Sequence, residues 1–265
     1  MRLALTALCL AALPANADPV EPDWLDTMPR ADVVFLGEVH DNPAHHQHQT
    51  RAIETLQPRA LVFEMLTQDQ AARIPHPLPD EDSLRAMLDW DESGWPDFAL
   101  YYPQFAAAPE ARIYGAELPR REARAAMEGD IAAHFPGDAA RFGLTAPLPP
   151  EQQSAREELQ ARAHCDALPD HLLPGMVAIQ RLRDALLAEA ALRAHEDTGG
   201  PVAVITGTGH ARTDWGAPYL LNMAAPELDT LALGQFEIDP GNAPPHDVWI
   251  ETDPHPRPDP CEAFQ

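Results

Sequence analysis

The feature that most constrains this chain is a pair of short apolar runs, far apart, that end the same way. Val33, Val34, Phe35 and Leu36 run into Gly37-Glu38-Val39-His40, and Val202 to Ile205 run, after Thr206, into Gly207-Thr208-Gly209-His210. Four or five consecutive apolar, mostly β-branched residues suit a parallel strand covered on both faces. A glycine then ends each run without side-chain bulk, so that Glu38 and His40 fall at the carboxyl end of a strand, where open α/β sheets place their ligands. One G-x-x-H tetrapeptide arises easily by chance. Two, each directly after a buried-strand pattern, indicate two strand ends converging on one polar site.

Two more segments repeat the form with an acid at the end. Residues 60–65 (ALVFEM) carry Glu64, and residues 111–117 (ARIYGAE) carry Glu117. Glu64 reads equally well as a capping or solvated acid. Strands alternating with helical stretches of ten to fifteen residues form βαβ units, so the fold class is α/β, a mostly parallel sheet flanked by helices. Further strands are expected over 230–238 and 247–252, with a helix near 217–223. Between 119 and 195 the composition turns to Ala, Arg, Glu, Leu and Gln at helical spacing, with the longest helix over 172–195. The expected organisation is an α/β domain over 18–118 and 196–265 with a small inserted helical domain at 119–195.

Residues 1–17, MRLALTALCLAALPANA, have one arginine, an apolar run and an A-x-A site, as a secretory signal peptide does. Cleavage is expected after Ala17, and Leu8 before Cys9 argues against a lipid anchor. The expected location is therefore periplasmic or secreted, with no membrane span. The net charge of -24 becomes -25 once Arg2 is removed, which argues against nucleic acid and anionic membranes as partners. Every basic residue is arginine, so no mechanism can use a catalytic lysine. Cys165 and Cys261 are the two cysteines left after processing, and an even pair in an exported protein is expected to form a disulfide. The alternatives are two free buried thiols, or pairing of Cys261 between subunits.

Glu38, His40, Glu64, Glu117 and His210 thus come from separate segments but share one edge of the sheet. Such a set can bind a divalent metal, through Glu38, His40, Glu64 and His210, or hold a general base. His45, His46 and His48 lie on the helix after the first strand and read as a solvated face. Nucleophilic, phosphate-loop and dinucleotide signatures are absent. Trp90, Trp95, Phe98, Tyr101, Tyr102 and Phe105 place six aromatics in sixteen residues. They fit either a helix packing its aromatic face on the sheet or a pocket for a flat apolar ligand.

Five segments together give a resemblance. They are VVFLGEVHDNPAHHQHQ, Tyr102-Pro103 in its aromatic stretch, GAELPR, HCDALP followed by MVAIQ and Arg183-Asp184, and GTGHARTDWGAPYLL. In this order, over residues 33–223, they resemble the ChaN-like haem-binding family, which is related to the Tiki and erythromycin-esterase proteins through paired G-x-x-H motifs and an acid. The resemblance implies a periplasmic or outer-membrane haem-binding protein in haem and iron uptake, a homodimer enclosing haem, and an outer-membrane haem receptor as a further partner. It also implies haem as cofactor, held by a tyrosine oxygen. Tyr102 is the matching position and Tyr101 its neighbour, with Trp95, His40, His210 and Arg212 around the porphyrin and its propionates. Glu117 departs from the asparagine more usual before the Pro-Arg pair, and adds negative charge. The residues alone support a second reading, a divalent-metal-dependent peptidase or esterase in which Glu38, His40 and His210 are catalytic.

Overall fold

The computed structural model describes residues 18–241, 243–259 and 261–262. The signal peptide expected over 1–17 lies outside the described residues. Strands β1 (Asp18–Pro19), β2 (Val33–Glu38), β3 (Ala60–Phe63), β4 (Arg112–Gly115), β5 (Val202–Gly207), β6 (Thr230–Phe236) and β7 (Val248–Glu251) pair side by side in the order β1-β7-β6-β2-β5-β3-β4. Every pairing is parallel. The apolar runs explain this: β2, β3 and β5 are buried along their whole length, which only a sheet covered on both faces permits.

Alternate residues of these strands feed two separate cores. Val33, Phe35, Val62, Val202 and Val204 point into one, together with the inward residues of α5 (Arg120–Met127), α7 (Leu173–Thr198) and α8 (Ala217–Ala224). Val34, Leu36, Leu61, Phe63 and Ile205 point into the other, covered by α1 (Pro43–Leu56), α3 (Glu81–Met87) and α4 (Phe98–Ala107). The period of two in a strand makes this division automatic. Two further helices complete the set: α2 (Gln68–Ala72), whose Ala71 joins the second core, and α6 (Pro150–Ala163), which packs on α7.

The chain steps from β2 to β3 and β4 toward one edge, returns through α7 to insert β5 beside β2, then leaves through α8 for β6 and β7 on the other side. Direction therefore reverses around β2 and β5, and a crevice opens at their carboxyl ends. Register sharpens the point. Glu38 pairs with Gly207, so the two G-x-x-H turns leave neighbouring strands almost level with each other.

The aromatic stretch resolves toward packing. Phe98, Tyr101 and Phe105 recur on one side of α4 and are fully buried. The ring of Phe105 stacks on Phe63 at 4.1 Å, and Trp90 lies 4.9 Å from Tyr101 and 5.0 Å from Phe98. Four of the six aromatics are thus core, and a haem pocket built from the whole stretch does not exist. Only Trp95 and Tyr102 remain half-exposed.

Candidate functional site at the strand ends

The first half of the site is built by the turn after β2. Gly37 is required because a Cβ there would lie 2.8 Å from the Leu233 carbonyl oxygen and 2.9 Å from Thr208. Beyond it Glu38 turns inward, fully buried. Its Oε1 meets Nδ1 of His40 at 2.7 Å and accepts the Tyr101 hydroxyl at 3.0 Å, and its Oε2 faces Nδ1 of His46 at 3.5 Å. Burial alone would depress the His40 pKa, but the Glu38 hydrogen bond and the charges of Glu64, Glu38 and Asp41 outweigh it and raise it to about 9. His40 is therefore an imidazolium at neutral pH. Its ring meets Trp95 edge-on at 4.9 Å.

The second half comes from β3, β5 and α7. Glu64 Oε2 accepts from the Thr206 hydroxyl at 2.7 Å and from the Gly207 amide at 2.8 Å. Burial would raise its pKa, yet the charges of His210 and His40 and these hydrogen bonds bring it down to about 2. His210 Nε2 lies 3.6 Å from Glu64 Oε1, while Nδ1 lies 2.6 Å from Asp184 Oδ1. Burial opposes protonation of His210, but the two carboxylates prevail and its pKa is raised. Gly207 also has a steric role: a Cβ would come within 3.0 Å of His40 Nε2. Glu64 is thus a carboxylate flanked by two imidazoles, each backed by a buried acid.

Two spaces meet at this centre. One, about 340 Å³, has His40, Glu64 and His210 at its floor, with Trp95, Glu117, Arg120 and Arg183 around it. The other, about 520 Å³, runs from His40 and His210 between α6 and α7 to Trp215 and Phe236. Burial raises the Glu117 pKa, against the pull of Arg183 and Arg120.

The expected residues Glu38, His40, Glu64, Glu117, Trp95 and His210 therefore gather in one crevice. They do not converge as a ligand set: they pair off as histidine–carboxylate couples, and among the described residues no three His, Cys, Asp or Glu are placed to hold a metal ion. Arg212 turns away, bonded twice to Asp214 and stacked 3.8 Å from the Trp215 ring. Tyr101 is sealed in the core against Glu38, whereas Tyr102 donates its hydroxyl to the Pro79 carbonyl at 3.2 Å.

The expectation of a solvated histidine helix is overturned. His45 accepts the Val39 amide at 2.8 Å and contacts Thr252 at 2.8 Å, His46 reaches the His40 carbonyl, and His48 meets Gln235. The histidines on α1 are the frame that fixes the G-E-V-H-D turn. Asp184 was not anticipated as a site residue. Its signal was a lone acid on the apolar face of the longest helix.

A sequence profile of the family described as haem-binding uptake, Tiki superfamily, ChaN, matches residues 24–221. This chain belongs to the ChaN family. Among solved structures, one described as "Cofacial heme binding to ChaN of Campylobacter jejuni" matches with a TM-score of 0.65 at 19% identity, over 85% of this chain and 89% of that one. At that identity the likeness is one of fold. A type III effector, HopBA1, matches with a TM-score of 0.46 at 16% identity, over 84% of this chain and 88% of that one. No curated protein matches the chain. In this ChaN-family protein the G-E-V-H-D and G-T-G-H segments that carried the resemblance are the same two turns that build the crevice.

Chemically, the crevice of this ChaN-family chain can hold anions against Arg120, Arg183 and the His40 imidazolium, and can pass protons between His40, Glu64 and His210. Among the described residues no helix is long and apolar enough to cross a membrane.

Proposed function

We propose that this protein binds haem for iron uptake outside the cytoplasm, with Tyr102 as the iron ligand and a second copy of the chain covering the porphyrin. The observation that carries the reading is the family match across 24–221. Haem supplies a ferric iron that a phenolate oxygen can ligate. Of the two candidate phenols, Tyr102 is the better suited. It is half-exposed and gives its hydroxyl to a single backbone carbonyl, so that ligation costs one part-buried hydrogen bond. Burial and then the Glu38 carboxylate push the Tyr101 pKa far up, which disfavours a phenolate there.

Beside Tyr102, the outer side of α4 presents Ala99, Leu100 and Pro103 in a groove of about 520 Å³ shared with α1. This is an apolar bed for a flat ring. Tyr102 lies outside that groove and outside the two spaces of the crevice, and a second copy of the chain would cover it. Disulfide formation between Cys165 and Cys261 supports an oxidising location. An outer-membrane haem receptor is the partner this reading expects.

Haem titration followed by absorbance tests it. The wild type is expected to give a high-spin ferric spectrum with a phenolate charge-transfer band, and Tyr102→Phe to lose that band and bind at least tenfold more weakly, while Tyr101→Phe keeps it. An unchanged spectrum in Tyr102→Phe would overturn the assignment. A doubling of hydrodynamic mass on haem addition tests the covering copy.

A second reading, hydrolysis in the crevice, is favoured by one observation: two imidazoles, each backed by a buried carboxylate, flank Glu64. For the divalent-metal version Glu38, His40, Glu64 and His210 would have to leave their present partners. Ester and peptide turnover by wild type and His40→Ala, with elemental analysis for zinc and manganese, decides it. No turnover and no metal in the wild type would remove this reading.

A further inference from the structure

We propose that the space between α6, α7 and the carboxyl ends of β2, β5 and β6 is a binding site for a small free organic acid, with Arg156 taking the carboxylate and Trp215 and Phe236 the apolar body. The inference is independent of haem ligation, since no residue lining this space comes from α4.

The argument begins with α6. A helix lying on a protein normally buries its aliphatic residues. This one buries Arg156 and Gln160. Arg156 is 7% exposed, yet among the described residues it makes no ion pair and no hydrogen bond, and its buried Nε has no partner. Its guanidinium instead stands 5.1 Å from the Trp215 ring. Arg212 is the contrast: it faces the same ring but is neutralised by Asp214. A buried guanidinium is normally paired, because leaving it unpaired costs several kcal/mol. Burial pushes the Arg156 pKa down to about 10 even with the pull of Asp184. The missing partner is an anion that the protein itself does not supply.

Two other buried atoms of residues lining the same space are also unpaired: Gln160 Oε1 and Gln180 Oε1. Buried acceptors without donors are rare in folded proteins, and three orphaned polar atoms around one space of about 520 Å³ mark a place for a polar ligand. The acceptors call for a hydroxyl. Arg156 and Gln160 are one helical turn apart, about 6 Å between Cβ atoms, which suits a carboxylate and its neighbouring hydroxyl. Leu159, Val177, Trp215 and Phe236 leave the remainder of the ligand in apolar surroundings. The chemical class is therefore an apolar 2-hydroxy acid, its carboxylate fixed near the His210 couple.

Isothermal titration of the oxidised full chain with 3-phenyllactate tests this, with its methyl ester as the uncharged control. The acid is expected to bind, the ester at least tenfold more weakly, and Arg156→Met to lose at least tenfold for the acid. Arg156→Met should unfold at the wild-type temperature or above, since it removes an unpaired buried charge; a guanidinium with a structural role would lower it. Gln160→Leu, which keeps the charge, should weaken acid and ester alike by several-fold, since both carry the hydroxyl that Gln160 accepts. No heat from 3-phenyllactate at millimolar concentration, or equal affinity for acid and ester, would overturn the proposal. So would haem that displaces 3-phenyllactate and is itself weakened by Arg156→Met, because the anion would then be a haem propionate. If Tyr102→Phe loses haem but keeps 3-phenyllactate, the two sites are separate.

Discussion

Asp184, in the middle of α7, holds Nδ1 of His210 at 2.6 Å, so the helix that precedes β5 fixes the orientation of the histidine that follows the strand. The pair is almost fully buried, and the imidazole presents Nε2 toward Glu64. Removing one partner of such a pair leaves the other charge buried and uncompensated. Asp184→Asn is expected to lower the His210 pKa and to destabilise the fold by about 3 kcal/mol. Imidazole nitrogen shifts in a pH titration and urea unfolding measure the two effects. An unshifted His210 would show that Glu64 alone sets its charge.

Stability should peak near neutral pH, with different histidines shaping the two sides. Burial depresses His45 and His246 to about 4. In the window from about 6.5 down to 4 the unfolded chain takes up protons there that the folded chain refuses, so stability falls as pH falls. His40 has the opposite sign. Its folded pKa of about 9 lies above the unfolded value, so its contribution is complete below about 6.5 and is lost as pH rises through 9. Glu64, held near 2, adds a further loss as pH falls below about 4.5. Thermal unfolding of the wild type and His45→Gln across pH 4 to 10 checks this. The variant should show a shallower acid limb by about 2 kcal/mol and an unaltered alkaline limb.

The parallel sheet and its crevice were legible because they rest on local signals: apolar runs that demand cover on both faces, and glycines where neighbouring groups leave no room for a Cβ. Glu38, His40, Glu64 and His210 followed from strand ends alone. Asp184 and Arg156 did not, because they reach the crevice from helices, and whether a polar helical residue faces in or out depends on tertiary packing. The α1 histidines failed for the same reason. Polar residues at helical spacing suggest a wet face, and only the return of Thr252 and Gln235 from the far end of the chain gives them partners. The two-residue strand β1 carries too short a pattern to be read.

Arg257 joins the C-terminal tail to the crevice. It bonds both oxygens of Asp41, at 2.8 and 2.7 Å, and both of Glu237, at 2.5 and 2.6 Å, and holds the Glu237 carboxyl down at about 2. Asp41 follows His40 directly, so the tail is pinned beside the site. The pairs are partly exposed and screened, which limits their worth to about 1 kcal/mol. Arg257→Ala should therefore lower stability by about that amount at low salt and by less in 1 M salt, and should speed proteolysis after residue 252. Equal cleavage rates for variant and wild type would show that the tail is held elsewhere.

The stronger hold is the Cys165–Cys261 disulfide, which joins the residue just beyond α6 to the far end of the same tail. The cysteines are 96 residues apart, so in the chain-entropy model the bond removes about 4 to 5 kcal/mol worth of freedom from the unfolded state. It also ties the tail, pinned at Asp41 and Glu237, to the helix that carries Arg156 and Gln160. Reduction should then have two effects: a fall in unfolding temperature, and faster hydrogen exchange in α6 and in residues 253–262 than in the sheet. Cys165→Ser with Cys261→Ser should reproduce both without reductant. Mass spectrometry of the untreated protein should give a Cys165–Cys261 cross-linked peptide, and two alkylatable thiols there would rule out the bond. If the double variant unfolds at the wild-type temperature, the tail is held by Arg257 and its carboxylates alone.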